Sequence, residues 1–358
     1  MAELAQKAYH VPVVDCLRGV AALAVCCCHL LAVGAWKSTT EYGWLGVYVF
    51  FVVSGFIVPY SLARGQYTLL SYPRFLAKRI TRLDPPYFAA IVLAIALQYI
   101  SYQFPQFKGS PPDYTLKQIL LHFGYLNSFF GGNWIIIVFW TLGIEFQYYL
   151  LVGLLYPLLA SRRFLAQFAV ILLCVIGMDR FNFPLHVKAE QGPLIAHYAF
   201  VFLLGVLAFR FKIGVIDKRT YLIMTVLTAI AVSAGCGPIV GITSLGASLL
   251  IAFASTFQNK ILVWLGSISY SLYLFHYPIG GRIIGVGTRL VTGTYLQYAV
   301  HVLSVIGCLL FAYVMYRAVE VPAKRLASKI RLNPVRVVPP VHAIEPTLAA
   351  QAGASSDQ

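Results

Sequence analysis

Apolar residues run through this chain in blocks of about 17 to 25, separated by short polar segments, and that is the length at which a helix crosses hydrocarbon. The blocks fall at about 12–34, 44–63, 86–103, 135–159, 164–180, 193–210, 221–237, 239–256, 261–280 and 295–317. The pattern predicts an all-α polytopic membrane helical bundle with about ten transmembrane helices. Residues 116–132 form a shorter apolar block that carries His122 and Asn127. Counting it as a crossing would move Arg162 and Arg163 to the other side of the membrane, so it reads as a short re-entrant or interfacial segment. Non-helical backbone at that depth is tolerated only beside protein or water, so the segment is expected to line a cavity.

Composition narrows the class further. Of 358 residues, 59% are hydrophobic and 11% charged, which excludes an ordinary soluble domain. A net charge of +15 raises nucleic-acid binding, but the basic residues lie between apolar blocks and form no single patch, so nucleic acid is not an expected partner. The positive-inside rule accounts for them better. With the N-terminus inside, 19 Lys and Arg residues fall in the inner segments. Seven fall in the outer ones (Lys37, Lys108, Lys117, Arg180, Lys188, Arg282, Arg289), with Arg18 counted apart. Both termini are therefore expected in the cytoplasm.

Several other signals are negative. A cleaved leader is not expected, because Lys7 alone would form its basic region and Arg18 would interrupt its apolar core. The seven cysteines, including adjacent Cys26, Cys27 and Cys28, have neither disulfide-framework nor zinc-ligand spacing and read as small core residues. No internal repeat of the inverted-repeat transporter kind is visible. Beyond Pro339 and Pro340 the chain turns to Ala, Gly, Ser and Gln, a composition that does not build a core. The expected organisation is a cytoplasmic N-terminus over 1–11, a membrane domain over 12–325, and a basic then disordered cytoplasmic tail over 326–358.

Ionisable residues inside membrane blocks are costly, and those that face a bundle interior mark substrate or proton paths. Arg18 and His29 are eleven positions apart in the first block, about three helical turns and roughly 16 Å along one face. A snorkelling arginine and a hydrogen-bonded core histidine explain the two equally well on their own. Glu145 stands near mid-membrane and needs a partner, for which His29 or Arg18 is an economical choice. Arg79 and Arg82, one turn apart on a helix entering the third block, suit a phosphorylated cytoplasmic ligand, although topology alone would explain them. Ser54-Gly55 reads first as a close-packing site and second as a pore-lining hydroxyl. Ser269, Tyr270, Ser271, Tyr273 and His276 share one block, which suggests either a hydrated cavity or interhelical hydrogen bonds, with His276 leaning slightly toward function. Glu320, beside Arg317, Lys324 and Arg325, is expected to form a local ion pair.

Six stretches, taken together and in order, resemble the membrane-bound acyltransferase 3 family of bacterial envelope O-acyltransferases. They are Leu17-Arg18-Gly19 with His29 after ten intervening residues; Gly46-Val with Phe50-Phe-Val-Val-Ser54-Gly-Phe; Arg79 to Arg82; Trp140-Thr-Leu-Gly-Ile-Glu145-Phe-Gln-Tyr-Tyr149; Ile268-Ser-Tyr270-Ser-Leu-Tyr273-Leu-Phe-His276-Tyr-Pro278; and Glu320-Val-Pro322. The resemblance spans residues 15 to 325. Thr141 stands where the family usually has serine, and Phe146 replaces a frequent second carboxylate. A fused extracytoplasmic esterase-like domain, present in some relatives, is not expected here, which leaves acceptor choice to the outer mouth of the bundle or to a partner protein.

The resemblance implies an integral O-acetyltransferase of the bacterial inner membrane. Its donor would be cytoplasmic acyl-CoA, most simply acetyl-CoA, as a substrate with no tightly bound cofactor. Its acceptor would be a sugar hydroxyl of an envelope glycan or exopolysaccharide, with membrane lipid around it and partner proteins of a polysaccharide export or modification system. By this reading His29 is the general base, Glu145 orients it, and Arg18 anchors the donor at the inner mouth. Arg79 and Arg82 hold the coenzyme A phosphates, while Ser54, Trp140, Tyr270, Tyr273 and His276 contribute to substrate binding. A variant route passes the acyl group through His29 or one of Cys26, Cys27 and Cys28, though an apolar setting disfavours a thiolate. A polytopic transporter of a glycan or lipid precursor, or a non-catalytic membrane sensor, are the competing classes.

Overall fold

The computed structural model describes residues 11–107, 109–161 and 194–333. Helix α1 (Pro12–Leu31) starts on a proline, whose missing amide costs nothing in a first turn. A run of short turns over residues 34–45 leads into α2 (Gly46–Arg64). Helix α3 (Tyr72–Tyr102) follows, then α4 (Trp140–Leu159), α5 (Ala199–Lys212), α6 (Lys218–Cys236) and α7 (Pro238–Phe253). Helix α8 (Lys260–Leu290) is capped by Asn259, whose side chain accepts from the amides of Ile261 and Leu262. Helix α9 (Thr294–Met315) passes through a π-helical turn at Tyr316–Glu320 into α10 (Val321–Ser328).

The molecule is a helical membrane bundle, and nine of the ten predicted blocks are helices in the described residues; the block at 164–180 lies outside them. Seven segments there are long and apolar enough to cross a membrane by length and composition. Of the other two blocks, α7 is apolar but has only 16 residues. Helix α8 has 31 residues but carries serines, tyrosines and His276 between Ser267 and Tyr277. Two helices run longer than predicted. Helix α3 begins at Tyr72 and continues through Pro85 and Pro86, so the arginine-bearing segment and the span are one 31-residue helix. Helix α8 likewise continues past Pro278 to Leu290.

Residues 116–132 fold as two helices, Leu116–Leu121 and Asn127–Phe130, of six and four residues. At ~1.5 Å rise per residue neither can cross a bilayer. Buried His122 pins this segment. Its Nδ1 lies 2.8 Å from the Gln118 carbonyl, and its Nε2 accepts from the Ile135 amide at 3.2 Å.

Helices α1 and α8 run parallel in close contact, and glycine makes the approach possible. A Cβ on Gly266 would lie 2.1 Å from the Asp15 carbonyl oxygen, and one on Gly19 would lie 2.8 Å from the Gly266 amide nitrogen. Further along the same pair, Leu30 covers Gly280. Gly55 performs the same service between α2 and α5, facing the Phe202 backbone, so the close-packing reading of Ser54-Gly55 belongs to the glycine. Arg210, the last residue of the predicted block 193–210, is fully buried in α5 and donates to the Leu159 carbonyl at the end of α4. Beyond α10, Asn333 accepts from the Ser71 hydroxyl at 3.0 Å and donates to the Gln66 carbonyl, which ties the chain to the start of α3.

Because α1 and α8 meet backbone to backbone at Gly266, Gly266→Ala should cost about 1 to 3 kcal/mol by overpacking. Gly281→Ala, on the same helix with no atom within 4 Å of the added methyl, should be neutral. Thermal unfolding of the two variants in the same detergent checks this; equal melting temperatures would show that α1 and α8 are not held by this contact.

Candidate active site

The α1–α8 contact brings together two histidines 247 residues apart in sequence. His276 is buried at 1% exposure, and its Nδ1 lies 2.8 Å from the Tyr273 carbonyl oxygen and 3.1 Å from that of Leu272. Carbonyls only accept, so His276 Nδ1 carries the proton and its Nε2 is an acceptor when the ring is neutral. His29 Nδ1 stands 2.8 Å from that Nε2, with the rings 9° from parallel. These partners assign the hydrogens: His29 Nδ1 donates to His276, and His29 Nε2 is left as a bare lone pair. His29 itself is exposed. Its ring meets the edge of Tyr277 at 5.9 Å and lines a cavity with Leu30, Ala94, Gln98, Tyr114, Ile135, Ile136, Pro278 and Arg282. Tyr114, Ile135 and Ile136 flank the short helices of residues 116–132, but no residue of that segment lines this cavity, so the flanking positions take the place expected of it.

A second cavity opens at the end of the bundle that carries the α3 arginines. Arg18, Lys78, Arg79 and Arg82 line it, with Ser54, Ser61, Glu145, Tyr149, Tyr270 and Leu332. The one-turn spacing of Arg79 and Arg82 thus places both on one cavity, where Arg18 joins them. The Arg79 guanidinium donates to Ser61 Oγ at 2.8 Å and lies over the rings of Phe75 and Tyr149. Glu145 Oε1 accepts from Ser54 Oγ and from Tyr149 OH, each at 2.5 Å.

This placement corrects one expectation and agrees with the predicted separation of Arg18 from His29. His29 is oriented by His276, whereas Glu145 belongs to the basic cavity, and the shared face of Arg18 and His29 serves two different cavities. The reason is depth: Glu145 is one turn past Thr141 on α4, and it is Thr141 that meets α8. Ser54 is a cavity-lining hydroxyl as well as the neighbour of a packing glycine. Trp140 lines neither cavity; it packs against Tyr198 with ring centres 5.8 Å apart, because Thr141 and Glu145 take the inward face of α4. Glu320 does form a local pair, with Lys324 at 2.7 Å, but it is buried and also accepts from Ser271 Oγ at 2.6 Å.

A thin wall separates the cavities. Tyr273 OH and Thr141 Oγ1 are 2.6 Å apart, both bond the Val138 carbonyl, and Phe50 packs edge-on to the Tyr273 ring. On the far side of Tyr273, 5.9 Å between ring centres, stands His276. The sequence reading missed Thr141 and Tyr277 as site residues, as well as Gln98 and Arg282. Arg282 sits six residues beyond His276, a signal hidden by ending the ninth block at 280.

With this geometry in place, similarity to known proteins becomes informative. A family model described as an acyltransferase domain matches residues 11–317. The chain belongs to that acyltransferase 3 family. Members it resembles include the "O-acetyltransferase OatA" of Staphylococcus aureus, 26% identical over 89% of this chain and 58% of that protein. The "Peptidoglycan O-acetyltransferase OatA" of Listeria monocytogenes is 24% identical over 88% of this chain and 56% of that protein. A "Putative acetyltransferase ORF330" of Acidianus two-tailed virus is 31% identical over 47% of each. The chain thus spans about half the length of these relatives. No solved structure matches it. The matched segment contains the whole lining of the His29 cavity and, apart from Leu332, that of the arginine cavity.

The tautomer assignment is testable by nitrogen NMR of histidine-labelled protein, with resonances assigned through single His→Gln variants. Both rings of the pair should be neutral and protonated at Nδ1, and His276→Leu should release His29 to exchange between tautomers. A His29 ring protonated at Nε2 in the unmodified protein would overturn the assignment.

Proposed function

We propose that this chain is a membrane O-acyltransferase that moves an acyl group, acetyl in the simplest case, from acyl-CoA to a sugar hydroxyl of an envelope or exported glycan. The observation that carries this reading is the wall itself: an arginine-lined cavity on one side and the His29 imidazole on the other, with the Tyr273 ring and the buried His276 ring standing in sequence between them. The excess of Lys and Arg on one side of the predicted spans supports a cytoplasmic position for the basic cavity and both termini in a bacterial inner membrane. Acyl-CoA is available on that side. The names of the Staphylococcus and Listeria relatives support acetyl as the group and a cell-wall glycan as the kind of acceptor.

In this mechanism Arg79, Arg82 and Arg18 face the phosphates of coenzyme A, a charge arrangement that guanidinium groups recognise well. The pantetheine arm runs past Ser54 and Glu145 toward Thr141 and Tyr273, and the tyrosine swings aside to admit the thioester. Breaking its hydrogen bonds costs on the order of 1 kcal/mol each, a small barrier compared with acyl transfer itself. The acceptor hydroxyl gives its proton to His29 Nε2 as its oxygen attacks the thioester carbonyl carbon. Collapse of the adduct breaks the C–S bond, and the departing thiolate takes the proton from the imidazolium, which yields free coenzyme A and the O-acyl sugar. His276 is a positioning residue, since it keeps His29 in the tautomer whose free nitrogen faces the acceptor.

The test is transfer of label from radioactive acetyl-CoA to envelope glycan in inverted membrane vesicles. His29→Ala should lower turnover by about 10²- to 10⁴-fold, the usual contribution of positioned acid-base catalysis, with normal protein levels. His276→Leu should lower kcat by on the order of tenfold or more with little change in KM for the donor. His276→Gln, whose amide oxygen can still accept from His29, should retain more activity than the leucine variant. Unchanged turnover in His29→Ala would remove the base assignment, and no label in any glycan fraction with wild-type protein would point to transport instead.

A further inference from the structure

The His29 cavity contains a cation that the proposed reaction does not use. Arg282 lies six residues after His276 on α8, about 9 Å further along the helix axis, and lines the same cavity as His29. Its position is set by neutral groups. One amino nitrogen donates to Gln98 Oε1 at 2.6 Å, and the guanidinium stands 5.5 Å from the centre of the Phe107 ring. Gln98 is itself oriented, because its amide nitrogen donates to the Ser110 carbonyl at 2.6 Å. Arg282 Nε is buried and has no hydrogen-bond partner. Among the described residues, no Asp or Glu lines this cavity.

A guanidinium whose position is fixed, whose Nε–H is unused and whose charge no cavity residue balances is costly without an anionic partner. Neighbouring polar groups sharpen the picture: Gln98 holds one edge of the fork, and Tyr114 adds a hydroxyl to the same cavity. We propose that Arg282 is an anion-binding residue of the acceptor site. The acceptor sugar, or the sugar next to it, carries a carboxylate or phosphate that bonds the amino hydrogens not taken by Gln98 and balances the guanidinium charge. This holds the hydroxyl to be acylated at His29 Nε2. The inference rests on the reading of the His29 cavity as the acceptor site, and it narrows the acceptor to acidic glycans.

The experiment measures binding without chemistry, so it stands apart from the transfer assay. Full-length protein in phosphatidylcholine nanodiscs is titrated with an oligoglucuronate and with the same oligosaccharide after carboxyl reduction. Wild type should bind the acidic form on the order of tenfold or more tightly than the reduced one, as a charge-assisted fork contact provides. Arg282→Gln should lose that preference while binding the reduced form as wild type does, which also shows that the site is still folded. Arg282→Lys should restore part of it. Equal binding of the two forms by wild type, binding of neither, or a preference that survives Arg282→Gln would each overturn the proposal. Repeating the titration with phosphatidylglycerol in the nanodisc separates the two sources of such an anion. A preference that persists supports the sugar; one that vanishes assigns Arg282 to a lipid phosphate and overturns its acceptor role. Should the preference hold while labelled acetyl never reaches glycan, the transfer reading fails and Arg282 remains an anion site.

Discussion

The hydrogen bond from His29 to His276 depends on a chain of contacts that begins with packing. Glycine at 19 and 266 lets α1 and α8 touch backbone to backbone, and this brings the end of α1 beside the middle of α8. The carbonyls of Leu272 and Tyr273 then take the Nδ1 proton of His276. Its other nitrogen can therefore only accept, and His29 must donate from Nδ1. Each step is geometric, and the last one decides which nitrogen of His29 faces the cavity. In the proposed mechanism a neutral ring takes the place of the carboxylate that often orients a catalytic imidazole. In a membrane interior that substitution avoids burying a full negative charge.

Charge placement elsewhere follows the same economy. Of the charged residues nearest the site, Arg18, Lys78, Arg79 and Arg82 line one cavity and share it with Glu145. Glu145 is stabilised by two hydroxyl donors, Ser54 and Tyr149, in addition to the nearby guanidinium groups. Glu320 is buried but paired with Lys324 and bonded by Ser271. Formal charge is thus concentrated at the arginine end of the bundle, while among the described residues the cavity beside the imidazole pair is lined by uncharged groups apart from Arg282.

Much of this was legible in the sequence where a periodic or compositional signal existed. Apolar block length located nine helices among the described residues, and the one-turn spacing of Arg79 and Arg82 anticipated their common cavity. What sequence could not supply was depth and rotation. Arg18 and His29 share a face of one helix, yet eleven residues of rise separate them into two cavities. Sequence offered Glu145 either His29 or Arg18 as partner; α4 enters the bundle at a depth that brings Thr141, one turn earlier, against α8, so Glu145 lies on the cavity of Arg18 and not on that of His29. Helix ends were the other weak point. The predicted third block begins at 86 and the ninth ends at 280, whereas α3 starts at Tyr72 and α8 runs on to Leu290, and that continuity is what carries Arg282 onto the same cavity as His29. Trp140 is a case where motif membership suggested a ligand contact and the helix face it occupies gives it a packing role.

Residue 273 links the two halves of the site in a way no single contact reveals. Its side chain closes the wall toward the arginine-lined cavity, through Thr141 and the Val138 carbonyl. Its backbone carbonyl, on the opposite side of the same residue, accepts the proton that sets the tautomer of His276. A thioester that displaced the Tyr273 ring would need only a rotation about its side-chain torsions, because α8 is continuous through this turn and its backbone need not move. The passage could therefore open without disturbing the hydrogen bond that prepares His29. A wall built from any residue of a separate loop would have to be coordinated with the base by some other means. In the proposed mechanism, building the barrier from one atom group of a residue and the anchor of the base from another would make donor entry and base orientation compatible within a single helical turn.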